Sequence, residues 1–204
     1  MAGATVNLWL RGDNTLISGM YRAALEVPDG AFLTISSASG DFENDGKLTA
    51  KNISADINGG GGYGAGIGGA GEYRLGNGSK NSKGRAGTII INGGTIIAAA
   101  RDGAAIGGGD TTGHDGGGTI EINGGNVTAI ATYGGAGIGS GWYADPISGT
   151  GDDGTVITIR AGQINASGNS SSDAGAAGIG GSKYSSSGVV RINNASSSLS
   201  IIST

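Results

Sequence analysis

One phrase returns four times in this chain. It reads Gly64-Ala-Gly-Ile-Gly-Gly69, then Gly103-Ala-Ala-Ile-Gly-Gly108, Gly135-Ala-Gly-Ile-Gly-Ser140 and Ala176-Ala-Gly-Ile-Gly-Gly-Ser182. A second phrase runs in phase with it: Gly87-Thr-Ile-Ile-Ile-Asn-Gly-Gly94, Gly118-Thr-Ile-Glu-Ile-Asn-Gly-Gly125, Gly154-Thr-Val-Ile-Thr-Ile-Arg-Ala-Gly162 and Gly188-Val-Val-Arg-Ile-Asn-Asn194. Two phrases repeating together specify a stack of like units, each touching mainly its neighbours. Few folds satisfy that constraint.

Composition narrows the choice. Glycine occupies 46 of 204 positions, against a usual share of about 7%. There is no Gly-X-Y period and only two prolines, which excludes collagen. Glycine alternating with short β-branched runs implies many tight turns between short strands. Net charge is −4 with 14% charged residues. The densest basic cluster is Lys80, Lys83 and Arg85 in a Gly/Ser/Asn loop, so no nucleic-acid partner is expected. With no cysteine there is neither a disulfide framework nor a thiolate metal site. No run is long enough for a membrane span, and no signal peptide is visible.

Each clean repeat reads as three short strands. In the middle one these are Thr119–Asn123, Asn126–Ile130 and Ala136–Ile138, with corners at Gly124-Gly125 and Gly134-Gly135 and an exit at Gly139-Ser-Gly141. Side chains alternate between the faces of a strand, so Ile120, Ile122, Val127 and Ala129 point inward. Glu121, Asn126, Thr128 and Ile130 then point outward. Applied to every repeat, this register gives inward columns: Ile89/Ile120/Ile157/Val190, Ile91/Ile122/Ile159/Ile192, Ile96/Val127/Ile164, Ala98/Ala129/Ala166 and Ile67/Ile106/Ile138/Ile179. The expected fold is an all-β, right-handed parallel β-helix (a β-solenoid) of about five to six coils with three short strands each. The variable segments fall after each pivot: 70–86, 110–117, 141–153 and 183–187.

Residues 1–204 read as a single solenoid domain, with 1–60 as irregular capping coils and 61–204 as regular repeats. Val6–Leu10, Asn14–Ile17, Ala24–Val27, Phe32–Ile35 and Lys47–Ala50 alternate like strands without the repeated phrases. The last residues, Leu199–Thr204, read as a strand with an open edge, which invites pairing with more of the same protein or with another copy.

The Ile-Asn-Gly-Gly-Thr/Asn-(Ile/Val) and Gly-Ala-Gly-Ile-Gly-Gly phrases, with Leu25-Glu-Val-Pro-Asp-Gly-Ala-Phe-Leu-Thr-Ile35 upstream, resemble the glycine-rich repeats of bacterial extracellular carbohydrate-binding domain proteins. The resemblance covers nearly the whole chain. It implies a right-handed parallel β-helix, a surface or secreted location and a glycan partner. It carries over no catalytic motif.

The residues themselves offer little chemistry. Polysaccharide lyases and hydrolases need paired carboxylates, or a carboxylate with a base or metal. The outward column Ile90/Glu121/Thr158/Arg191 leaves Glu121 without a carboxylate neighbour, so it reads as a solvated side chain and the chain as a non-enzyme. His114, the only histidine, sits in the Asp110–Gly117 loop and reads as turn polarity. Asp145, Asp152 and Asp153 could offer oxygens to Ca²⁺, but their spacing matches no defined calcium loop, and turns favour the same residues. No other cofactor is suggested. Arg11-Gly12-Asp13 separates two strand-like runs and reads as a corner.

The loops carry more. Tyr73, Trp142, Tyr143 and Tyr184 all follow an Ile-Gly exit. If the exits share one corner, these rings line one edge of the tube, where sugars would stack their C–H faces. Asn77, Asp110, Asp145 and Lys183 lie nearby to bond hydroxyls. The expected function is non-catalytic glycan binding or adhesion at a cell surface. The alternatives are a self-assembling fibre segment stacking end to end, and ice binding. The ice reading has to contend with Thr95, Thr128 and Thr158, which fall in different registers.

Overall fold

A computed structural model describes residues 3–37, 46–52, 62–74, 80–81, 84–111, 116–142, 155–169, 175–182, 184–185, 188–193 and 199–204. The chain winds in coils of three strands. The first coil comprises β1 (Thr5–Leu10), β2 (Asp13–Ser18) and β3 (Leu25–Glu26); the second comprises β4 (Phe32–Ser37), β5 (Lys47–Asn52) and β6 (Ile67–Gly68). A short antiparallel excursion follows, β7 (Tyr73–Arg74) with β8 (Lys80–Asn81). The third coil holds β9 (Thr88–Ile91), β10 (Thr95–Ala100) and β11 (Ile106–Gly107), and the fourth β12 (Thr119–Ile122), β13 (Asn126–Ala131) and β14 (Ile138–Gly139). The fifth holds β15 (Val156–Ile159), β16 (Gln163–Ser167) and β17 (Ile179–Gly180), and β18 (Val189–Ile192) and β19 (Ser200–Ser203) begin a sixth.

Like strands of successive coils pair in parallel and build three sheets, ordered β1-β4-β9-β12-β15-β18, β2-β5-β10-β13-β16-β19 and β3-β6-β11-β14-β17. This is a right-handed parallel β-helix, with coils about 4.8 Å apart. The inward columns form in the expected register. Ile89, Ile120, Ile157 and Val190 stand opposite one another, as do Ile96, Val127 and Ile164, and the four pivots Ile67, Ile106, Ile138 and Ile179. The columns also run into the less regular first coils. Leu33 joins Ile89, Leu48 joins Ile96, Ala50 joins Ala98, and Leu25 stands below Ile67.

Packing follows from that register. Ile89, Ile91, Ile96, Ile106, Ile120, Ile122, Ile138 and Ile157 are wholly buried in one continuous core. Each contributes about 1.5–3 kcal/mol through removal of its side chain from water. The alanine column Ala50/Ala98/Ala129/Ala166 is equally buried.

Glycine decides two corners. The second glycine of each Asn-Gly-Gly or Arg-Ala-Gly turn, Gly94, Gly125 and Gly162, has φ of 90°, 94° and 112°, a region that L side chains rarely adopt. The glycine after each pivot is more restricted. Gly68, Gly107 and Gly139 have φ of 140°, 134° and 142°. A Cβ on any of them would collide with the carbonyl of the matching glycine one coil further on: Gly107, Gly139 and Gly180 in turn.

The third strand is shorter than its sequence suggests, Ile138–Gly139 in place of Ala136–Ile138. The Ala136 N–H donates across the pivot to the Ser140 carbonyl at 3.0 Å, in its own coil. Ala65, Ala104 and Ala177 do the same to Gly69, Gly108 and Gly181. The chain therefore kinks into the pivot, while inter-coil bonds flank it, from Gly137 N–H to Ala177 O at 3.1 Å to Ser140 N–H to Gly180 O at 3.2 Å.

Truncating the pivot tests the column. Ile138→Ala should cost about 2–5 kcal/mol, since a buried cavity would open between Ile106 and Ile179. Gly139→Ala should be at least as damaging, because its obstacle is backbone. Denaturant melts of both variants measure this; midpoints equal to that of the parent would refute the column assignment.

Candidate functional site

The exits of successive coils leave at one corner. Gly69 N–H donates to Gly107 O at 2.8 Å, Gly108 N–H to Gly139 O at 2.9 Å and Ser140 N–H to Gly180 O at 3.2 Å. The residues that leave each pivot therefore stack. Counting back four residues from the third strand gives Tyr21, Tyr63, Asp102 and Gly134 in coils one to four; counting back five gives Arg101 and Tyr133 in coils three and four. Backbone bonds confirm the stacking: Tyr63 N–H to Met20 O at 2.7 Å, Asp102 N–H to Gly62 O at 3.1 Å and Tyr133 N–H to Arg101 O at 3.0 Å. Approach and exit meet where Trp142 N–H donates to Asp102 O at 3.1 Å.

This edge carries a run of rings. Tyr21 and Tyr63 stack with centroids 5.4 Å apart and planes 12° apart. Tyr133 meets Trp142 edge to face at 4.8 Å, and Trp142 lies 6.4 Å from Tyr184. The indole rests on Gly134, where any Cβ would strike the ring. The Ser182 hydroxyl donates to Trp142 O at 2.8 Å, tying the fifth coil's exit to the fourth's. Tyr21, Tyr63, Tyr133 and Trp142 are half-buried, and Tyr184 is exposed. Such rings rest on the wall and still offer an edge or face to solvent.

Between the two ring clusters sits an ion pair. Arg101 Nη1 donates to Asp102 Oδ2 at 2.7 Å, while the Arg101 Cζ lies 4.7 Å from the Tyr133 centroid. Asp102 is 1% exposed, and its Oδ1 has no hydrogen-bond partner among the described residues. Burial pushes the Asp102 carboxyl above the ordinary aspartate value, with Arg101 opposing the shift by charge and by hydrogen bond.

Of the sequence-predicted site residues, Trp142 and Tyr184 lie beside each other. Tyr73 is placed by its backbone alone, at the start of β7 opposite Asn81. Asn77, Tyr143, Asp145 and Lys183 lie outside the described residues, as do His114, Asp152 and Asp153. Asp110 is a correction. It is 5% exposed, not presented at the edge, because Asp110 N–H donates to Tyr63 O at 2.7 Å and Asp110 O accepts from Glu72 N–H at 2.9 Å.

Glu121 is a second correction. It is not simply solvated: Arg160 Nη1 bonds its Oε2 at 2.8 Å and the Asn123 Oδ1 at 2.9 Å. Arg160 lies two residues past Thr158, the partner of Glu121, so both point outward and long side chains span the diagonal. Asn123 Nδ2 continues the corner ladder to Asn92 Oδ1 at 3.0 Å. Glu121 is thus engaged by a cation, not poised beside a second carboxylate. Arg11-Gly12-Asp13 forms the corner between β1 and β2, with Gly12 at φ 61°.

Thr95 stands opposite Asn126, Thr128 opposite Ile97 and Asn165, and Thr158 opposite Glu121 and Arg191. Among the described residues, no three His, Cys, Asp or Glu side chains gather where they could hold a metal. No helix among them is long and apolar enough to cross a membrane.

A family model described as a β-helix repeat matches residues 89–110, 120–142 and 157–183. These are segments of the third, fourth and fifth coils, and the chain is a β-helix repeat protein. No curated protein and no solved structure matches it.

The buried carboxylate gives a pH test. Its folded pKa is raised, so folding favours its protonated form. Its contribution to stability is therefore fullest below the unfolded pKa and is lost as pH rises through the raised value. Asp102→Asn removes that dependence. The melting temperature of the parent relative to Asp102→Asn should climb as pH is lowered from 7 towards 4. A difference independent of pH would contradict the burial.

Proposed function

We propose that this chain is a non-catalytic, surface-exposed or secreted solenoid that binds polysaccharide along its aromatic edge. The observation that carries the reading is the Tyr133–Trp142–Tyr184 run, continued by Tyr21–Tyr63 at the far end of the same edge. Rings on successive coils follow the coil spacing of about 4.8 Å loosely, with centroids 5.4 Å apart for Tyr21–Tyr63 and 6.4 Å for Trp142–Tyr184. A polymer with its own short repeat can lay successive apolar sugar faces against such a series, each contact gaining a little. A rigid scaffold also spares the ordering cost that a mobile loop would incur. Catalysis is not part of the proposal: the one carboxylate on the first sheet's outer face in the regular coils, Glu121, is held by Arg160.

A glycan array of plant, bacterial and animal polysaccharides tests this. The parent should bind at least one class, and Trp142→Ala should weaken it by roughly tenfold, about 1.4 kcal/mol. Binding unchanged by the substitution would remove the aromatic edge as the site.

A second reading, end-to-end self-association, rests on the ends of the stack. Val6 and Val190 are 51% and 40% exposed, while Ile89, Ile120 and Ile157 between them in the column are fully buried. Parallel stacking of one copy's last coil on another's first would cover both and propagate. Ile201→Lys should then abolish assembly, at some cost to the fold because Ile201 packs against the core. Light scattering showing a monodisperse monomer at high concentration, for parent and variant alike, would rule it out.

A further inference from the structure

We infer that the third coil is a carboxylate-reading subsite within the aromatic edge, so that the preferred polymer carries uronic acids. This inference rests on the glycan-binding reading above. At the third coil the ring series is interrupted by Arg101 and Asp102, with Tyr63 stacked one coil below and Tyr133 one coil above. The Arg101 guanidinium is held on two sides, by the Tyr133 ring at 4.7 Å and by the Asp102 carboxylate at 2.7 Å. Its side chain remains 35% exposed, and its Nε and Nη2 donate to no group among the described residues.

Stability does not account for this arrangement. A buried carboxylate with one oxygen unsatisfied costs free energy, and a buried ion pair is often no better than apolar packing of the same volume. Its consequence is placement: Asp102 fixes the plane of the Arg101 fork at the surface, which makes it a positioning residue. What remains on offer is a set of donors with no acceptor. The matching ligand group is a planar carboxylate, which takes two parallel N–H donors at once. Rings on both sides require the rest of the ligand to present apolar C–H faces. A hexuronate unit within a polysaccharide supplies both; a free anion supplies only the first. The protein's net charge of −4 does not draw an acidic polymer from afar, so recognition is a short-range contact and not steering.

Calorimetry with polygalacturonate, the same polymer fully methyl-esterified, and a neutral β-glucan tests the inference. Expected is binding to the free acid at least tenfold tighter than to the ester, the size of one charge-assisted hydrogen-bonded pair. Arg101→Lys should erase most of that preference, because an ammonium lacks the fork. Asp102→Asn should weaken the preference in the same direction. Equal affinity for acid and ester would overturn the carboxylate subsite and leave the aromatic edge standing. Binding to none of the three, with none on the array, would overturn both. Should the variants fail to fold by circular dichroism, competition on the parent decides: galacturonate oligomers that displace the polymer no better than their methyl esters would overturn the inference.

Discussion

The structure depends on how closely one coil can lie on the next. The parallel ladder sets the spacing, and at the third corner the backbones come so near that a Cβ on Gly68, Gly107 or Gly139 would meet the next glycine's carbonyl. Everything else is placed by that contact. It brings the pivots Ile67, Ile106, Ile138 and Ile179 into one file, seals the tube beside the alanine column, and makes every exit leave at the same corner. The core is consequently a narrow column of stacked isoleucines.

Function then falls to what the corners present. The flat outer faces are mixed and largely self-engaged: Glu121 with Arg160 on the first sheet, the Asn92–Asn123 ladder at its corner. At the approach to the third strand the coils differ from one another, with Tyr, Tyr, Arg-Asp and Tyr-Gly in succession. That position is free to vary because it packs against the wall and not into the tube. It is also where a rigid scaffold can hold side chains in a fixed arrangement.

The edge was half legible. Trp142 and Tyr184 stood out because they follow the repeated exit phrase. Tyr133, Arg101 and Asp102 precede the pivot and lie outside the repeated phrases, although counting back from Ile106 and Ile138 aligns them. Tyr21 could not be aligned that way, since its coil has Leu25 in place of the Gly-Ala-Gly-Ile phrase and only the pairing of β3 with β6 sets its register. Asp110 read as an exposed loop acid because a Gly/Asp loop gives no sign that its backbone is held by Tyr63 and Glu72.

The sequence by itself determined the coil, its three strands, the inward columns and the glycine corners, because each follows from local rules: alternation along a strand, positive φ at glycine, and repetition of a unit that cannot bury its apolar face alone. The tertiary structure alone decided which outward side chains meet. Arg160 reaches Glu121, Arg101 lies on Tyr133, and Trp142 settles on Gly134. Those partners lie on different coils, at separations that loops of unequal length make irregular. No period in the sequence encodes them, and only stacking the coils brings them within reach.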